Sequence, residues 1–151
     1  CEAMGGFLQT KAQWEIAAGI FDGKRYPWGD DEPSLLRANY DEFFGGLSNV
    51  GSFPAGASVY GILDLGGNVR EWVMDVFYPE KDGLFDFDFR PANVVREEAL
   101  AAENLSLERY LKGGGASDEP QMMETKQYFH HEPDSPGFNR GFRCVYPVER
   151  D

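Results

Sequence analysis

Residues 60–72 read Tyr-Gly-Ile-Leu-Asp-Leu-Gly-Gly-Asn-Val-Arg-Glu-Trp. The three glycines allow tight turns, because glycine adopts a positive φ without steric cost. The interleaved Ile62, Leu65 and Trp72 supply apolar side chains for a core. The stretch therefore predicts a buried, tightly turning loop followed by a strand or a turn.

A short amphipathic helix is predicted upstream of this loop. Thr10 and Gln13 have the spacing of a capping box, in which each side chain bonds the other residue's backbone amide. Trp14 and Ile16 follow on one face, and Gly19 is a natural stop. We expect Trp14 to be buried.

The remaining regular structure is sparse. Residues 95–103 have a helical pattern inside a segment, 76–111, that we interpret as a surface insertion, and residues 141–146 predict a short terminal strand. Glycine (18) and proline (9) are frequent, which places much of the backbone in turns. These features favour an α+β domain held together by loops.

Composition limits the function classes. The chain has 151 residues, 42% hydrophobic and 15% aromatic, enough for one domain with a core. Its formal net charge of −12 argues against nucleic acid and against anionic membrane surfaces, because both require clustered Lys and Arg. Acidic loops suit either divalent cations or simple solubility. No stretch has the roughly 20 apolar residues of a transmembrane helix.

Landmarks along the whole chain carry a family resemblance. In chain order they are Cys1, residues 8–15, 26–30, 38–39, 50–54, 60–72, 112–115, 133–134 and 141–144. This series resembles the formylglycine-generating enzyme family, also called sulfatase-modifying factors, whose fold is a variant of the C-type lectin fold. The resemblance implies one domain over residues 1–151, interrupted by the insertion at 76–111. It also implies that the N-terminal part of the family domain is missing from this sequence.

The resemblance bears first on catalysis. In that family a cysteine pair binds copper and oxidises a substrate cysteine. The matching stretch here, residues 115–123, has no cysteine, and the chain has only Cys1 and Cys144. Paired thiolates are the soft ligands that select Cu(I), whereas Met122 and Met123 are more typical of packing residues. We therefore expect no copper and no oxidase activity.

The resemblance also implies calcium. A family loop that binds Ca²⁺ matches the side chains of Asp64 and Glu71 and the carbonyls of Gly67 and Val69. These are hard oxygen ligands, as calcium requires. An ordinary acidic turn capped by Glu71 is the alternative.

A second family calcium site matches Asn39, the Tyr40 carbonyl, Glu42 and the Phe44 carbonyl. The loop is shortened here, and Asp41 competes with Glu42 for the role of carboxylate ligand.

The resemblance places Cys1 and Cys144 where some relatives have a disulfide. Two buried thiols are the alternative, and a third is acylation of Cys1 as in a bacterial lipoprotein. Because the sequence starts with Cys and not Met, we expect that a signal, a pro-segment or an N-terminal half precedes it. We expect Arg143 to be structural, tying the terminal strand to an internal carboxylate.

A surface between residues 117 and 139 overlies the family's substrate groove, and we expect it to contact a protein partner, a neighbouring subunit or a glycan-like ligand. His130 and His131 are adjacent and point to opposite faces of an extended segment, so they do not share one metal. The expected contact residues, which we also expect to be exposed, are Gln127, Tyr128, Phe129, His130, His131 and Phe138.

Three functions are consistent with these features. The first is a non-catalytic, calcium-stabilised lectin-like module that serves as a binding or structural subunit and lies outside the cytoplasm, as a lipoprotein if Cys1 is acylated. The second is part of an oxidoreductase, sulfoxide-synthase-like or formylglycine-generating, whose metal ligands lie outside this chain. The third is a receptor diversified by a retroelement.

Overall fold

The computed structural model describes residues 1–78, 92–102 and 107–147 and has a mixed α+β architecture, as the sequence predicts. The helices are α1 (Lys11–Ala17) and α2 (Ala92–Ala102), and short 3₁₀ turns lie at Glu2–Met4, Ile20–Asp22, Pro54–Gly56 and Pro120–Met123. The strands are β1 (Phe7–Leu8), β2 (Arg70–Val76), β3 (Arg109–Lys112), β4 (Phe129–His131), β5 (Arg140–Phe142) and β6 (Cys144–Val145).

Two sheets organise the described residues. The larger has the strand order β4-β3-β2-β5, with β2 antiparallel to β3 and parallel to β5, and the smaller pairs β1 with β6. The predicted single terminal strand at 141–146 is therefore two strands in different sheets. The chain changes sheet at Arg143, where the guanidinium bonds Glu71 and the carbonyl oxygens of Leu63 and Asp64.

Helix α1 confirms the predicted capping box and the burial of Trp14, but Ile16 is 45% exposed, because residues two apart on a helix do not share a face. The Thr10 hydroxyl accepts from the Gln13 amide (3.2 Å), and the Gln13 side chain accepts from the Thr10 amide (2.8 Å). This capping box satisfies donors that a helix start otherwise leaves unpaired. Trp14 is fully buried and packs with Ala18, Leu65 and Val73. The helix thus anchors the main core against β2.

The loop before β2 turns tightly, as predicted. Asp64, Gly67 and Asn68 have φ values of 60°, 80° and 67°. A Cβ on Gly67 would lie 2.5 Å from the Asn39 carbonyl oxygen, so glycine is required there by both conformation and space. The close approach brings the loop of residues 64–69 against the loop that starts at Asn39.

The predicted insertion lies only partly within the described residues, since residues 79–91 and 103–106 fall outside them. Its described part contains α2, close to the helical pattern expected at 95–103, and most of β3. Val95 and Ala99 of α2 pack on Met74 of β2. No helix in the described part of the chain is both long and apolar enough to span a bilayer.

Candidate functional site

The Glu71 carboxylate, buried at the start of β2, is the most densely bonded acidic group of the site. Its Oε2 accepts from Gln9 Nε2 (3.1 Å) and Trp14 Nε1 (2.9 Å), and its Oε1 accepts from Arg143 Nη2 (2.6 Å). Arg143 Nε also donates to Glu71 Oε2, at 2.9 Å. These four donors match the roughly four acceptor positions of a carboxylate. The expectation that Arg143 ties the terminal strand to an internal carboxylate is confirmed.

The structure brings the four residues of the first predicted calcium loop together. Asp64, Gly67, Val69 and Glu71 all line one cavity of about 530 Å³, which Arg143 also lines. The donor set fits calcium only in part, because Arg143 already neutralises Glu71. Asp64 Oδ2 accepts the Gly51 amide at 2.7 Å, which leaves its other oxygen for a cation. Calcium at this loop stays a prediction.

The second predicted calcium loop contains an unpaired buried oxygen. Asn39 is fully buried, and its Nδ2 donates to the Gly46 carbonyl (2.8 Å), Ser48 Oγ (3.1 Å) and Asn68 Oδ1 (3.2 Å). Its Oδ1 is buried and has no hydrogen-bond partner. Buried polar atoms normally have one, and a carboxamide oxygen is a calcium ligand.

The backbone beside Asn39 is also unusual. Asp41 and Glu42 both have positive φ, 54° and 55°, although neither is glycine. Their amides are fixed by the carbonyls of Asp118 (3.0 Å) and Ala116 (2.8 Å). Non-glycine residues in this region cluster at ligand-binding loops. The residues therefore fit a cation at this loop, and calcium there also stays a prediction.

Residues 115–123, where the resemblance places the copper-binding cysteines, contain an ion pair and a core residue. The Asp118 carboxylate accepts from Arg70 Nε (2.8 Å), bonds Arg70 Nη2 as well, and accepts the Gly115 amide (2.7 Å). Met123 is fully buried beside Tyr26 and Ala38. Sequence reasoning missed the Arg70–Asp118 pair, and the only available signal was two adjacent acidic residues, Asp118 and Glu119, in a stretch where cysteine was expected.

Cys1 and Cys144 form a disulfide, as predicted, so the chain has no free thiol. Within the described ranges, no group of three or more His, Cys, Asp or Glu side chains is placed to hold a metal ion. The two predicted calcium sites are of another kind, since each would combine two side chains with backbone carbonyls.

The predicted contact surface is less open than expected. Phe138 is 80% exposed, but the other five residues are half-buried. His130 stacks on Phe77 with ring centroids 3.7 Å apart, and its Nδ1 lies 2.8 Å from Glu108 Oε2. Phe129 lies under the Arg70 guanidinium at 3.8 Å. Sheet packing therefore occupies much of this surface, and its role in binding stays a prediction.

His131 has a different environment from His130. Burial lowers its pKa below the ordinary value, and the neighbouring charges of Arg140 and Arg70 lower it further, against a smaller opposing effect of Glu108. His130 lies against Phe77 instead, which agrees with the expected alternation of the two rings along an extended segment.

Comparison with known proteins identifies related sequences. Residues 1–148 match the family model of the sulfatase-modifying factor enzyme 1-like domain. The chain is 33% identical over 157 residues to the formylglycine-generating enzyme of Mycobacterium tuberculosis, covering 93% of this chain and 51% of that protein. It is 28% identical over 161 residues to the inactive C-alpha-formylglycine-generating enzyme 2 of Mus musculus, covering 99% and 46%.

A shorter match extends over 81 residues to the hercynine oxygenase of Mycolicibacterium smegmatis, at 37% identity, covering 50% of this chain and 18% of that protein. The chain thus spans about half or less of the length of these curated relatives. Among solved structures, PvdO from Pseudomonas aeruginosa superposes with a TM-score of 0.65 at 20% identity, covering 92% of this chain and 51% of that one. The Treponema denticola variable protein 1 has the same TM-score at 22% identity, covering 92% and 46%. These structures have the same fold.

Proposed function

Because this chain belongs to the sulfatase-modifying factor enzyme 1-like domain family, we propose that it is a non-catalytic, calcium-stabilised module that serves as a binding or structural subunit of a larger assembly. The proposal combines a retained fold with a changed chemical centre. Because the chain spans about half or less of the length of these curated relatives, the activity of the whole protein is part of the proposal.

The observation that carries the proposal is the pair formed by Arg70 and Asp118. The buried Asp118 carboxylate is held by the Arg70 guanidinium and the Gly115 amide, in the stretch where the family resemblance places a thiolate ligand. A paired carboxylate is a hard oxygen group and does not replace a soft thiolate pair for Cu(I). Both cysteines of the chain are used in the disulfide.

Calcium is the part of the proposal that Asn39 supports. The Asn39 Oδ1 is buried and accepts no hydrogen bond, although buried acceptors normally have a donor. A bound cation would supply the missing positive charge. The Tyr40 and Phe44 carbonyls and the exposed Glu42 carboxylate lie on the same short loop. Bound calcium would fix this loop, whose two residues of positive φ are costly to hold.

An extracytoplasmic location and a protein partner or glycan-like ligand complete the proposal. The Cys1–Cys144 disulfide supports an oxidising compartment, because such bonds are rare in the cytosol of mesophiles. One similar mouse protein is named an inactive C-alpha-formylglycine-generating enzyme, which agrees with loss of chemistry in a retained fold.

A second candidate function is part of an oxidoreductase whose metal ligands lie outside this chain. The 37% identity to a hercynine oxygenase over half the chain favours it. In that case this chain would shape a substrate pocket, and a metal domain elsewhere in the polypeptide would perform the oxidation.

Catalysis is tested by incubating the full-length protein with copper, oxygen, a thiol reductant and a cysteine-containing sulfatase peptide. Mass spectrometry should detect no formylglycine, whereas the Mycobacterium tuberculosis enzyme gives the positive control. Product formed by this protein above the copper-only blank would overturn the non-catalytic assignment.

Calcium is tested by calorimetry on EDTA-treated protein. Asn39→Ala should lose one site, whereas Asn39→Asp keeps the ligand oxygen and should retain it. Asn49→Ala, at an exposed residue of the same loop region, is the matched control.

Asp64→Ala tests the other predicted calcium loop. Loss of a binding site in this variant would support calcium there. Unchanged binding would mean that Glu71 is paired with Arg143 alone and that this loop binds no calcium. Absence of any calcium binding to the native protein would remove calcium from the proposal.

A further inference from the structure

Strand β5 lies at one edge of the larger sheet, and the backbone groups on its outer side are unpaired. In the strand order β4-β3-β2-β5, β2 is its only neighbour. The Arg70 amide donates to the Asn139 carbonyl at 2.9 Å, and Gly141 is the next residue whose amide and carbonyl face β2. Because these directions alternate along a strand, the N–H and C=O groups of Arg140 and Phe142 face away from β2. Neither of these two amides donates to another described residue.

Apolar side chains line a groove beside this edge. The cavity of about 530 Å³ that contains the first predicted calcium loop is also lined by Leu47, Val50 and Phe142. Val50 is 87% exposed and Phe142 is 62% exposed, and Leu47 is exposed as well. Leu47 also lines a second cavity, of about 260 Å³, together with the exposed Phe138. Single exposed apolar residues are common on monomers, but a contiguous group that lines a groove indicates a binding surface.

The edge and the groove together have the features that bind an added β-strand. The outward N–H and C=O groups of β5 provide backbone partners, and the groove provides space for every second side chain of an extended segment. Unpaired edges are unfavourable to leave open, because they also pair with other chains. Calcium at the first predicted loop would use only the polar residues of the larger cavity, so it would leave these apolar side chains exposed.

The solved structures of the same fold indicate what covers this groove. This chain accounts for about half of PvdO and of the Treponema denticola variable protein 1, so the other half of each polypeptide is available to pack against the shared part. Cys1 lies close to the groove, because it lines a further cavity, of about 290 Å³, together with Phe142. A polypeptide that enters at residue 1 therefore starts beside β5.

We propose that the polypeptide segment that precedes residue 1 covers this groove, by adding an extended strand to the outer edge of β5 and placing apolar side chains between Val50 and Phe142. The net charge of −12 disfavours a second copy of this chain as the occupant, because like charges repel across an interface. This interface is independent of the proposed function, since it completes the fold whether or not the protein is catalytic.

The test measures amide hydrogen exchange, residue by residue, in the full-length protein. The Gly141 amide faces β2 and should exchange slowly in any case, so it is the internal reference. If a strand covers the edge, the Arg140 and Phe142 amides should exchange at least about 100-fold more slowly than unprotected amides. Fast exchange at both positions, beside slow exchange at Gly141, would show an open edge and overturn the proposal.

Val50→Asp should open this interface in the full-length protein, because it places a carboxylate in an apolar groove. Exchange at Arg140 and Phe142 should then accelerate by about tenfold or more, and exchange at Gly141 should change less. Leu36→Asp is the matched control, since Leu36 is 77% exposed and lines none of these three cavities. Equal effects of the two substitutions would contradict the assignment of the groove.

Photocrosslinking identifies the occupant. With p-benzoylphenylalanine in place of Val50, mass spectrometry should find a crosslink to a peptide that precedes residue 1 in the same polypeptide. A crosslink pattern without this peptide, whether to residues 1–151, to a second copy or to another protein, would overturn the proposal, and so would a mature polypeptide that begins at Cys1. None of these outcomes depends on formylglycine production, so failure of this inference and failure of the proposed function are distinguishable.

Discussion

At the scale of single residues, the core contains a buried lysine whose charge is paired. Lys112, on β3, is fully buried, and its Nζ lies 3.0 Å from Glu15 Oε1, 2.9 Å from the Thr125 carbonyl and 5.0 Å from the Trp14 ring centroid. Lys11 lies 3.1 Å from the same Glu15 oxygen. A buried charge is tolerated when it is paired and hydrogen-bonded, and these contacts meet that condition.

Removing Lys112 should therefore be costly. Lys112→Met leaves Glu15 buried with only Lys11 as a cation, and we expect the free energy of unfolding to fall by about 3 kcal/mol. Urea denaturation followed by tryptophan fluorescence measures the change. The exposed Lys126→Met serves as control and should shift stability by less than about 0.5 kcal/mol. Equal effects of the two substitutions would show that the buried pair adds no specific stabilisation.

At the scale of elements, the sequence predicts what depends on neighbouring residues. The capping box, the burial of Trp14 and the loop-to-strand change before Arg70 follow from local spacing, and the structure has all three. The helical pattern at 95–103 overlaps α2, which begins earlier, at Ala92, and residue 103 lies outside the described residues. Local hydrogen bonding and hydrophobic periodicity were sufficient for these predictions.

Features that depend on distant contacts were not predictable from the sequence. The terminal segment divides into β5 and β6 because the Arg143 side chain bonds Glu71, 72 residues away. Arg70 and Asp118 are 48 residues apart, and no local pattern pairs them. The unpaired Asn39 oxygen likewise results from how two loops meet. The half-buried state of residues 127–131 follows from β4 joining the sheet, which opposes the expectation of an open contact surface.

At the scale of the whole molecule, loops make up much of the described structure, and they must be held in place by other contacts. The strands among the described residues are two to seven residues long. The two-stranded sheet joins the start of the described chain to its end, with Phe7 opposite Val145 and Leu8 opposite Cys144. The disulfide between Cys1 and Cys144 closes the same region at a sequence separation of 143. One covalent bond thus restricts nearly the entire chain.

Loss of the Cys1–Cys144 disulfide should lower the free energy of unfolding of the whole domain. In the loop-entropy model, a crosslink over this separation limits the unfolded chain and contributes about 4–5 kcal/mol. The double variant Cys1→Ser/Cys144→Ser should therefore unfold at a much lower urea concentration than the oxidised protein, and its m-value should increase because the unfolded chain becomes more expanded. Reductant should bring the native protein to the same midpoint and leave the double variant unchanged. A loss below about 1 kcal/mol would mean that the β1–β6 pairing and the core hold the termini without the crosslink, and that the bond serves another purpose than restricting the unfolded state.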